Sequence, residues 1–312
     1  MDWRRKDLLG LADVSREEIR FILQTAKPMK DILGRPVKKL PTLRGKSLVT
    51  LFYENSTRTR TSFEMAGKIL GADTASIAVA QSSVAKGESL VDTAKTIQAM
   101  RPDLVVIRHP ASGAAAFLAR VLRVGVINAG DGQHEHPTQA LLDIFTLEEH
   151  LDDLAGKKIL IVGDVLHSRV ARSNALGLTK LGAEVVFIGP PTLLPAEMQT
   201  LGARVSYDLD AELPGADAVM ALRLQRERQQ KGLLPTLREY SRLYGLSRAR
   251  LQQTGKPTLI LHPGPMNRGV EIMSDLADST QAVIEEQVTN GVAVRMALIY
   301  LLMGGGAADV VA

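Results

Sequence analysis

Residues 47–71 read SLVTLFYENSTRTRTSFEMAGKILG, and this stretch decides the fold. Its apolar, β-prone opening, Ser47–Phe52, predicts a strand, and the later apolar residues recur at helical spacing until Gly71. Between them, Ser56–Arg60 (STRTR) places three hydroxyls and two guanidinium groups in five residues. A strand that leads into a helix through such groups predicts an α/β unit with an anion site at the helix start.

The whole composition favours a soluble protein with small anionic ligands. The length of 312 residues allows one large or two medium domains, and the 45% hydrophobic and 23% charged content is ordinary. The net charge of +4 is mild, no run of Lys and Arg resembles a nucleic-acid-binding tail, and there are only six Phe, five Tyr and one Trp. Nucleic acid is therefore a disfavoured partner.

The absence of cysteine removes several classes of chemistry. Without it there is no disulfide, no thiolate metal site and no cysteine nucleophile. The start of the chain, MDWRRKDLLG, lacks the apolar core of a signal peptide, and no apolar run approaches the roughly 20 residues of a membrane span. We expect a cytoplasmic protein with no membrane partner.

Strands and helices alternate along both halves of the chain. This order predicts an α/β fold of two doubly wound domains, each a parallel β-sheet flanked by helices, linked by interdomain helices. The predicted strands are Ser47–Phe52, Ala75–Val79, Leu104–Ile107, Val126–Ile127, Lys158–Val162, Glu184–Ile188, Arg204–Tyr207, Ala218–Leu222 and Thr258–Leu261. The predicted helices are Arg16–Leu33, Thr57–Leu70, Leu90–Met100, Ala114–Val121, Pro137–His150, Arg169–Leu181, Ala196–Leu201 and Gln281–Leu302.

A polar, glycine-containing segment, His150–Gly156 (HLDDLAG), separates the two halves. It predicts a first domain over residues 1–150 and a second over residues 151–287. Residues 288–312 are predicted to form a C-terminal helix that returns to the first domain, because it is too apolar to be free, followed by a flexible tail.

The STRTR segment is the sharpest functional signal. A helix start offers unpaired N–H groups and partial positive charge, and hydroxyl and guanidinium groups add bonds to phosphate oxygens. The alternative is that the hydroxyls only cap the helix and the arginines are surface ions. The chain lacks the GxxxxGK[ST] pattern of a nucleotide triphosphate loop, and only Gly163 remains where a dinucleotide fingerprint needs three glycines, so a dehydrogenase is disfavoured.

Other polar residues follow predicted strands at equivalent places. Taken singly, each arginine is more often a surface residue, and His109 or His136 is more often structural. Together, arginines at strand ends in both halves favour a pair of anionic ligands. These positions are Arg108, His136 and Gln139 in the first half, and Arg169, Arg223 and the segment His262–Pro265 (HPGP) in the second.

Three motifs in this order resemble those of the aspartate/ornithine carbamoyltransferase family. FYENSTRTRTSFE resembles its carbamoyl phosphate loop, HPTQALLD the start of its interdomain helix, and HPGPMNRG its carboxyl-side loop. The resemblance covers roughly residues 2–303. AKGESLVDT and LRLQRER are similar to segments of the aspartate-using members, whereas ornithine-using members usually carry HCLP where this chain has HPGP. The chain also departs from the HPLPR form of some aspartate-using members.

The resemblance implies a carbamoyltransferase. The carbamoyl group of carbamoyl phosphate would pass to the amine of L-aspartate, giving N-carbamoyl-L-aspartate and phosphate in pyrimidine biosynthesis. The chemistry needs no protein nucleophile, no cofactor and no metal, because the protein holds two anions together and stabilises developing charge. The partners would be these two substrates.

The resemblance also implies a role for individual residues. The catalytic groups would be Arg58, Thr59, Lys86, Arg108 and His136. Carbamoyl phosphate would contact Ser56, Thr57, Arg58, Thr59, Arg108, His136, Gln139, the carbonyls of Gly264 and Pro265, and Ser82 and Lys86 of a neighbouring subunit. L-Aspartate would contact Lys86, Arg169, Arg223 and Gln225.

Ser82 and Lys86 lie in the polar segment AQSSVAKGE. On its own this segment is typical of a flexible surface loop. The resemblance instead sends both residues into a neighbouring subunit's site, which implies a homotrimer with shared active sites. Higher assembly with regulatory chains or with dihydroorotase stays open.

Two other functions compete with this one. An ornithine or other amino-acid carbamoyltransferase would share the first substrate but need a site for a cationic side chain, whereas Arg169, Arg223 and Lys86 suit a dicarboxylate. A noncatalytic anion-binding or assembly subunit on the same fold would be expected to lose a catalytic residue such as Arg58 or His136, and this chain has lost none.

Overall fold

The computed structural model describes residues 3–78, 87–225, 233 and 236–304. Two compact units divide the chain: a first unit of Met1–Leu142 with Thr289–Ala312, and a second unit of Asp143–Val288. Two helices cross from one unit's sequence into the other's. The domain boundaries drawn from the sequence stay a prediction, and the tail after residue 304 lies outside the described residues.

A parallel sheet of four strands forms the centre of the first unit. Its spatial order is β2-β1-β3-β4. All but the first residue of β1, and all of β4, are buried, which is why neither segment alternates between apolar and polar residues along the strand. The strands are β1 (Ser47–Phe52), β2 (Asp73–Ala78), β3 (Leu104–His109) and β4 (Gly125–Asp131).

Helices supply the apolar partners of this sheet. On one face, Val49, Val105 and Val126 pack with Ile97 and Leu118 in a single buried cluster. The helices of this part of the chain are α1 (Arg16–Leu33), α2 (Thr57–Ile69), α3 (Leu90–Ala99), α4 (Ala114–Val121) and α5 (Pro137–Leu151), the last of which passes the unit boundary after Leu142.

The second unit repeats the plan with a parallel sheet of five strands in the order β7-β6-β5-β8-β9. Leu160, Val186, Val219 and Ile260, one from each of four strands, share its main core cluster. The strands are β5 (Lys158–Val162), β6 (Glu184–Ile188), β7 (Arg204–Ser206), β8 (Ala218–Ala221) and β9 (Leu259–Leu261). The helices are α6 (Arg169–Lys180), α7 (Leu209–Glu212), α8 (Leu237–Tyr244), α9 (Arg248–Leu251), α10 (Ser274–Ala277) and α11 (Ile284–Leu302).

The predicted class, two α/β domains built on helix-flanked parallel sheets, is confirmed. One element has a different type: Ala196–Leu201 is a 3-10 helix, because Pro195 and Gly202 (φ +84°) confine it to six residues. Among the described residues, the short α-helices α7, α8, α9 and α10 were not predicted. For α8 a signal exists, since the Thr236 hydroxyl accepts a hydrogen bond from the Glu239 N–H at 3.1 Å.

Serine occupies the N-cap of both α1 and α2, but it serves different purposes. In α1 the Ser15 hydroxyl accepts a bond from the Glu18 N–H at 3.2 Å, and the Glu18 carboxylate accepts one from the Ser15 N–H at 2.8 Å. In α2 the side chain of Ser56 makes no capping bond. Helix stability therefore accounts for the hydroxyl of Ser15 and does not account for that of Ser56.

We predict that the two serines differ in their effect on unfolding. Ser15→Ala should destabilise the protein by about 1 kcal/mol, because the Glu18 N–H loses its partner. Thermal unfolding should show this as a loss of about 2–4 °C in the transition of the affected unit. Ser56→Ala is the matched control and should leave the transition unchanged; equal destabilisation by both substitutions would contradict the assignment.

Candidate active site

Strand register in the first unit brings the sequence-predicted groups to one edge of the sheet. Phe52, the last residue of β1, lies beside Arg108 of β3, and the Tyr53 N–H donates to the Arg108 carbonyl at 2.9 Å. Both strands run in the same direction, so the start of α2 and the side chain of Arg108 leave the sheet at its carboxyl edge, where parallel α/β sheets bind ligands.

The start of α2 has the properties of an anion site. Thr57 and Arg58 are exposed there, whereas Thr59 is buried, and the first turn contains no acidic residue. The N–H groups of this turn lack partners within the helix and carry partial positive charge. A phosphate placed here would meet hydroxyls, N–H groups and a guanidinium without a competing carboxylate in the turn.

Arg108 is oriented by two bonds from its own unit. Its Nε donates to Glu54 Oε2 at 3.2 Å, and its Nη1 donates to the Ala129 carbonyl at 3.3 Å. The side chain is 15% exposed, so it is largely fixed but still within reach of a small ligand. A guanidinium held in this way can meet a developing negative charge with little reorganisation.

His136 stands directly before α5 and is 4% exposed. Its carbonyl accepts bonds from the Gln139 N–H at 3.0 Å and the Ala140 N–H at 3.2 Å. The Thr138 hydroxyl lies 3.5 Å from His136 Nδ1. A helix start disfavours an added positive charge, so this position favours the neutral imidazole, which donates one hydrogen bond.

Asp131, five residues before His136, is a buried carboxylate that the sequence analysis did not single out. Asp131 accepts bonds from the N–H groups of Gly113 at 2.6 Å and Glu135 at 3.1 Å, and from Asn128 Nδ2 at 2.8 Å. Burial acts to raise the pKa of Asp131, but bonds from His134, Asn128 and the two backbone donors together hold that pKa below its usual value. The carboxylate therefore stays ionised and fixes the segment that leads into His136.

Glu135, four residues after Asp131, connects the same segment to the amino-terminal part of the chain. Its carboxylate accepts bonds from the N–H groups of Leu11 at 2.7 Å and Ala12 at 3.4 Å. A Cβ on Gly10 would stand 2.2 Å from Glu135 Oε1, so a larger residue there would displace this carboxylate. The sequence analysis did not single out Glu135, because no local pattern reports its bonds to the distant N–H groups of Leu11 and Ala12.

His109, weighed above as a structural residue, is held by its surroundings. Its Nδ1 accepts a bond from the Ala111 N–H at 2.9 Å, and its ring lies 4.6 Å from that of Tyr53. Burial lowers the pKa of His109, which favours the neutral ring that this bond requires. The observed contacts fit a structural role.

In the second unit, the ends of β5 and β8 hold the predicted arginines. These strands pair through Val162 and Ala221, and the Leu222 N–H donates to the Val162 carbonyl at 2.8 Å. Arg169 is the first residue of α6, after β5, and is 4% exposed. Arg223 follows β8 and is half-buried. Two guanidinium groups therefore follow adjacent strands of the same sheet.

Further bonds connect the two loops that carry these arginines. Gln225 Nε2 donates to the His167 carbonyl at 3.1 Å, and His167 Nδ1 lies 2.8 Å from Asp164 Oδ1. The Ser168 hydroxyl caps α6 by accepting from the Ala171 N–H at 3.1 Å. Asp164 and His167 are both buried. Gln225, which the resemblance assigns to aspartate, thus also braces the loop before Arg169.

The HPGP segment follows β9 as predicted. His262 is buried, Gly264 is half-buried with a φ of +62°, and Pro265 is exposed. Ser82 and Lys86, the two residues assigned to a neighbouring subunit, lie outside the described residues. The roles of all these residues stay predictions at this point.

Two general features bear on the ligands. Within residues 3–78, 87–225, 233 and 236–304, no group of three or more His, Cys, Asp or Glu side chains is arranged to hold a metal ion. The same part of the chain contains no helix that is long and apolar enough to cross a membrane.

Comparison with protein families matches nearly the whole chain. Residues 6–149 match the model of the aspartate/ornithine carbamoyltransferase carbamoyl-P binding domain, and residues 155–302 match the model of the Asp/Orn binding domain. The chain belongs to the aspartate/ornithine carbamoyltransferase family. The first matched domain contains the anion site at the start of α2, and the second contains Arg169 and Arg223.

Similar individual proteins refine the placement within this family. The chain is 68% identical over 311 residues to the aspartate carbamoyltransferase catalytic subunit of Desulfitobacterium hafniense, with 100% of both chains covered. It is 63% identical over 305 residues to the subunit of the same name from Moorella thermoacetica, covering 98% of this chain and 99% of the relative.

Solved structures match the fold of both branches of the family. Aspartate transcarbamoylase from Trypanosoma cruzi, in complex with carbamoyl phosphate and aspartate, superimposes with a TM-score of 0.85 at 27% identity, covering 96% of this chain and 97% of that one. Ornithine carbamoyltransferase from Pyrococcus furiosus gives 0.85 at 29% identity, covering 98% and 99%. Fold similarity therefore does not separate the two amino-acid substrates.

Proposed function

We propose that this chain transfers the carbamoyl group of carbamoyl phosphate to the amine of L-aspartate, giving N-carbamoyl-L-aspartate and phosphate. Its main support is the arrangement of basic groups at the carboxyl ends of strands in both units, with Arg108 held in the first and Arg169 and Arg223 in the second. The relatives that share about two thirds of the sequence carry the name aspartate carbamoyltransferase.

Carbamoyl phosphate is assigned to the first unit's strand ends. Ser56, Thr57, Arg58 and Thr59 bind the phosphate, because the turn that holds them combines N–H donors, hydroxyls and a guanidinium. The Ser56 hydroxyl can bind a phosphate oxygen, because the helix does not use this side chain as a cap. Arg108, His136 and Thr59 bind the carbonyl oxygen, and Gln139 with the carbonyls of Gly264 and Pro265 binds the carbamoyl amine.

The second substrate is assigned by charge. Arg169 and Arg223, with Gln225 beside them, favour a ligand with two carboxylates, since a guanidinium pairs bidentately with a carboxylate. Ornithine carries an ammonium group in its side chain and would be repelled by a second guanidinium. The charge of Arg169 and Arg223 therefore favours aspartate over ornithine, a choice that the fold comparison alone does not make.

The proposed chemistry is charge stabilisation rather than covalent catalysis. The amine of aspartate attacks the carbonyl carbon, negative charge develops on the carbonyl oxygen, and phosphate leaves with the bonding electron pair and takes up the proton that the amine releases. Arg108 and neutral His136 stabilise the oxygen as donors, an effect typically worth about 10²–10³ in rate for one donor. No covalent carbamoyl-histidine forms. The guanidinium of Arg58 stabilises the negative charge on the departing phosphate.

The oligomeric state is also part of this proposal. Ser82 and Lys86 act in the site of the neighbouring subunit, which makes the active protein a homotrimer of cyclic symmetry. The support is the similarity of AKGESLVDT to the corresponding segment of aspartate-using members, together with the need for positive charge around two anionic substrates. We place the protein in the cytoplasm, because both substrates are small charged metabolites.

The reaction assignment predicts the identity of the product. Incubation with carbamoyl phosphate and either L-aspartate or L-ornithine, followed by mass spectrometry, should give N-carbamoyl-L-aspartate and no citrulline. Arg58→Ala should lower turnover by at least about 100-fold. Arg60→Ala is the matched control, since Arg60 pairs with Glu64 at 3.8 Å and has no assigned role, and it should stay within about twofold. Citrulline as the main product, or no product, would overturn the assignment.

The shared site predicts complementation between inactive variants. Arg58→Ala and Lys86→Ala, mixed under conditions that exchange subunits, should regain part of the activity, because some interfaces combine an intact Arg58 with an intact Lys86. Mixing Arg58→Ala with Arg108→Ala is the control and should stay inactive, since those two residues belong to the same chain's half of the site. Mixed trimers of the first pair that form but remain inactive would exclude sharing through Lys86.

A further inference from the structure

The ring of His262 has one tautomer fixed by its two neighbours. The Gly264 N–H donates to His262 Nδ1 at 2.8 Å, so Nδ1 is an acceptor and carries no proton. His262 Nε2 lies 3.2 Å from Glu271 Oε1 and is therefore the N–H donor of the ring. The side chains are 0% and 1% exposed, so water does not compete for either bond.

Glu271 closes the other end of the same loop. Its Oε1 accepts a second bond, from the Asn267 N–H at 2.5 Å. Its backbone carbonyl accepts one from the Leu246 N–H at 3.0 Å, which anchors the residue itself. The carboxylate therefore connects, through His262, the start of the loop at Gly264 with its end at Asn267.

The base of the loop is fixed as well. The His262 N–H donates to Gln287 Oε1 at 2.9 Å, and Gln287 Nε2 donates to Asp143 Oδ1 at 2.7 Å. Asn174 Nδ2 donates to the other carboxylate oxygen of Asp143 at 2.8 Å. These side chains are buried, so the backbone of His262 is held independently of its ring.

We propose that His262, supported by Glu271, is a positioning residue that aims the carbonyls of Gly264 and Pro265 at the carbamoyl amine. The proposal rests on the function proposed above. Gly264 adopts a φ of +62°, a conformation that glycine permits but does not enforce. The Gly264 N–H belongs to the Pro263–Gly264 peptide, so its bond to the ring of His262 fixes that peptide plane, from which the chain continues to the Gly264 and Pro265 carbonyls. A displacement of about 1 Å in a substrate-orienting group can cost about 100-fold in rate.

Two isosteric substitutions separate this role from simple support of the fold. In His262→Asn the amide oxygen takes the position of Nδ1 and still accepts from the Gly264 N–H, while the bond to Glu271 is lost. In His262→Gln the amide nitrogen takes the position of Nε2 and still donates to Glu271, while the bond to Gly264 is lost. A purely structural histidine would give no reason for the two variants to differ in catalysis.

The kinetic test compares these variants with the wild type. His262→Asn should retain kcat within about threefold, and His262→Gln should lower kcat about 10- to 100-fold. In His262→Gln the KM for carbamoyl phosphate should rise, while the inhibition constants of inorganic phosphate and the KM for aspartate stay within about twofold, because those ligands do not use the two carbonyls. Equal losses in both variants, or a parallel change for phosphate and carbamoyl phosphate, would overturn the positioning role.

A measurement on the unaltered protein removes any dependence on how the variants fold. Nitrogen-15 NMR with labelled histidine, in a chain with six His, should show that Nε2 of the His262 ring carries a proton and Nδ1 does not. A proton on Nδ1 would exclude the bond to Gly264. Wild-type activity with aspartate tests the proposed function separately, so the failure of one proposal is distinguishable from the failure of the other.

Discussion

The pairing of parallel strands with their carboxyl ends in register is the constraint on which the rest depends. In the first unit it sets Phe52 beside Arg108, and in the second it sets Val162 beside Ala221. Residues that are far apart in sequence are thereby delivered to the same edge of a sheet. Nothing about Arg108 or Arg223 alone predicts a ligand site, whereas their position at the carboxyl ends of paired strands does.

A second regularity is that buried or half-buried carboxylates hold the groups that are assigned to the substrates. Glu54 holds Arg108, Asp131 holds the segment before His136, and Glu271 holds the ring of His262. Each of the bonds named here joins residues of one unit, so the groups that face a ligand are oriented before the ligand arrives. Such preorganisation reduces the reorganisation that charge development would otherwise require.

The sequence was sufficient for most of the fold because most strands are short, apolar and buried, whereas β2 and β7 are partly exposed. Ser47–Phe52, Lys158–Val162 and Glu184–Ile188 end where their patterns end. The helix type of Ala196–Leu201 was predicted wrongly and the four-residue helices were not predicted. Segments of four to six residues contain too little periodicity to identify a helix or its type.

The candidate site was predictable in its basic residues and less so in what supports them. STRTR, HPTQ and HPGP are visible as motifs because several unusual residues stand together. Asp131, Glu135 and Glu271 are single acidic residues whose burial depends on distant backbone N–H groups, such as that of Leu11, and no local pattern reports those contacts. The tautomer of His262 likewise depends on three-dimensional neighbours.

The central claim is that the arginines of the two units divide the substrates between them, and steady-state kinetics of Arg223→Ala test it most directly. Loss of a charge-assisted bond to a carboxylate should raise the KM for aspartate by at least about 30-fold, corresponding to about 2 kcal/mol. The KM for carbamoyl phosphate, measured at saturating aspartate, should change by less than about threefold. If both KM values rise together, or if the KM for aspartate stays unchanged, Arg223 does not select the second substrate and the account is contradicted.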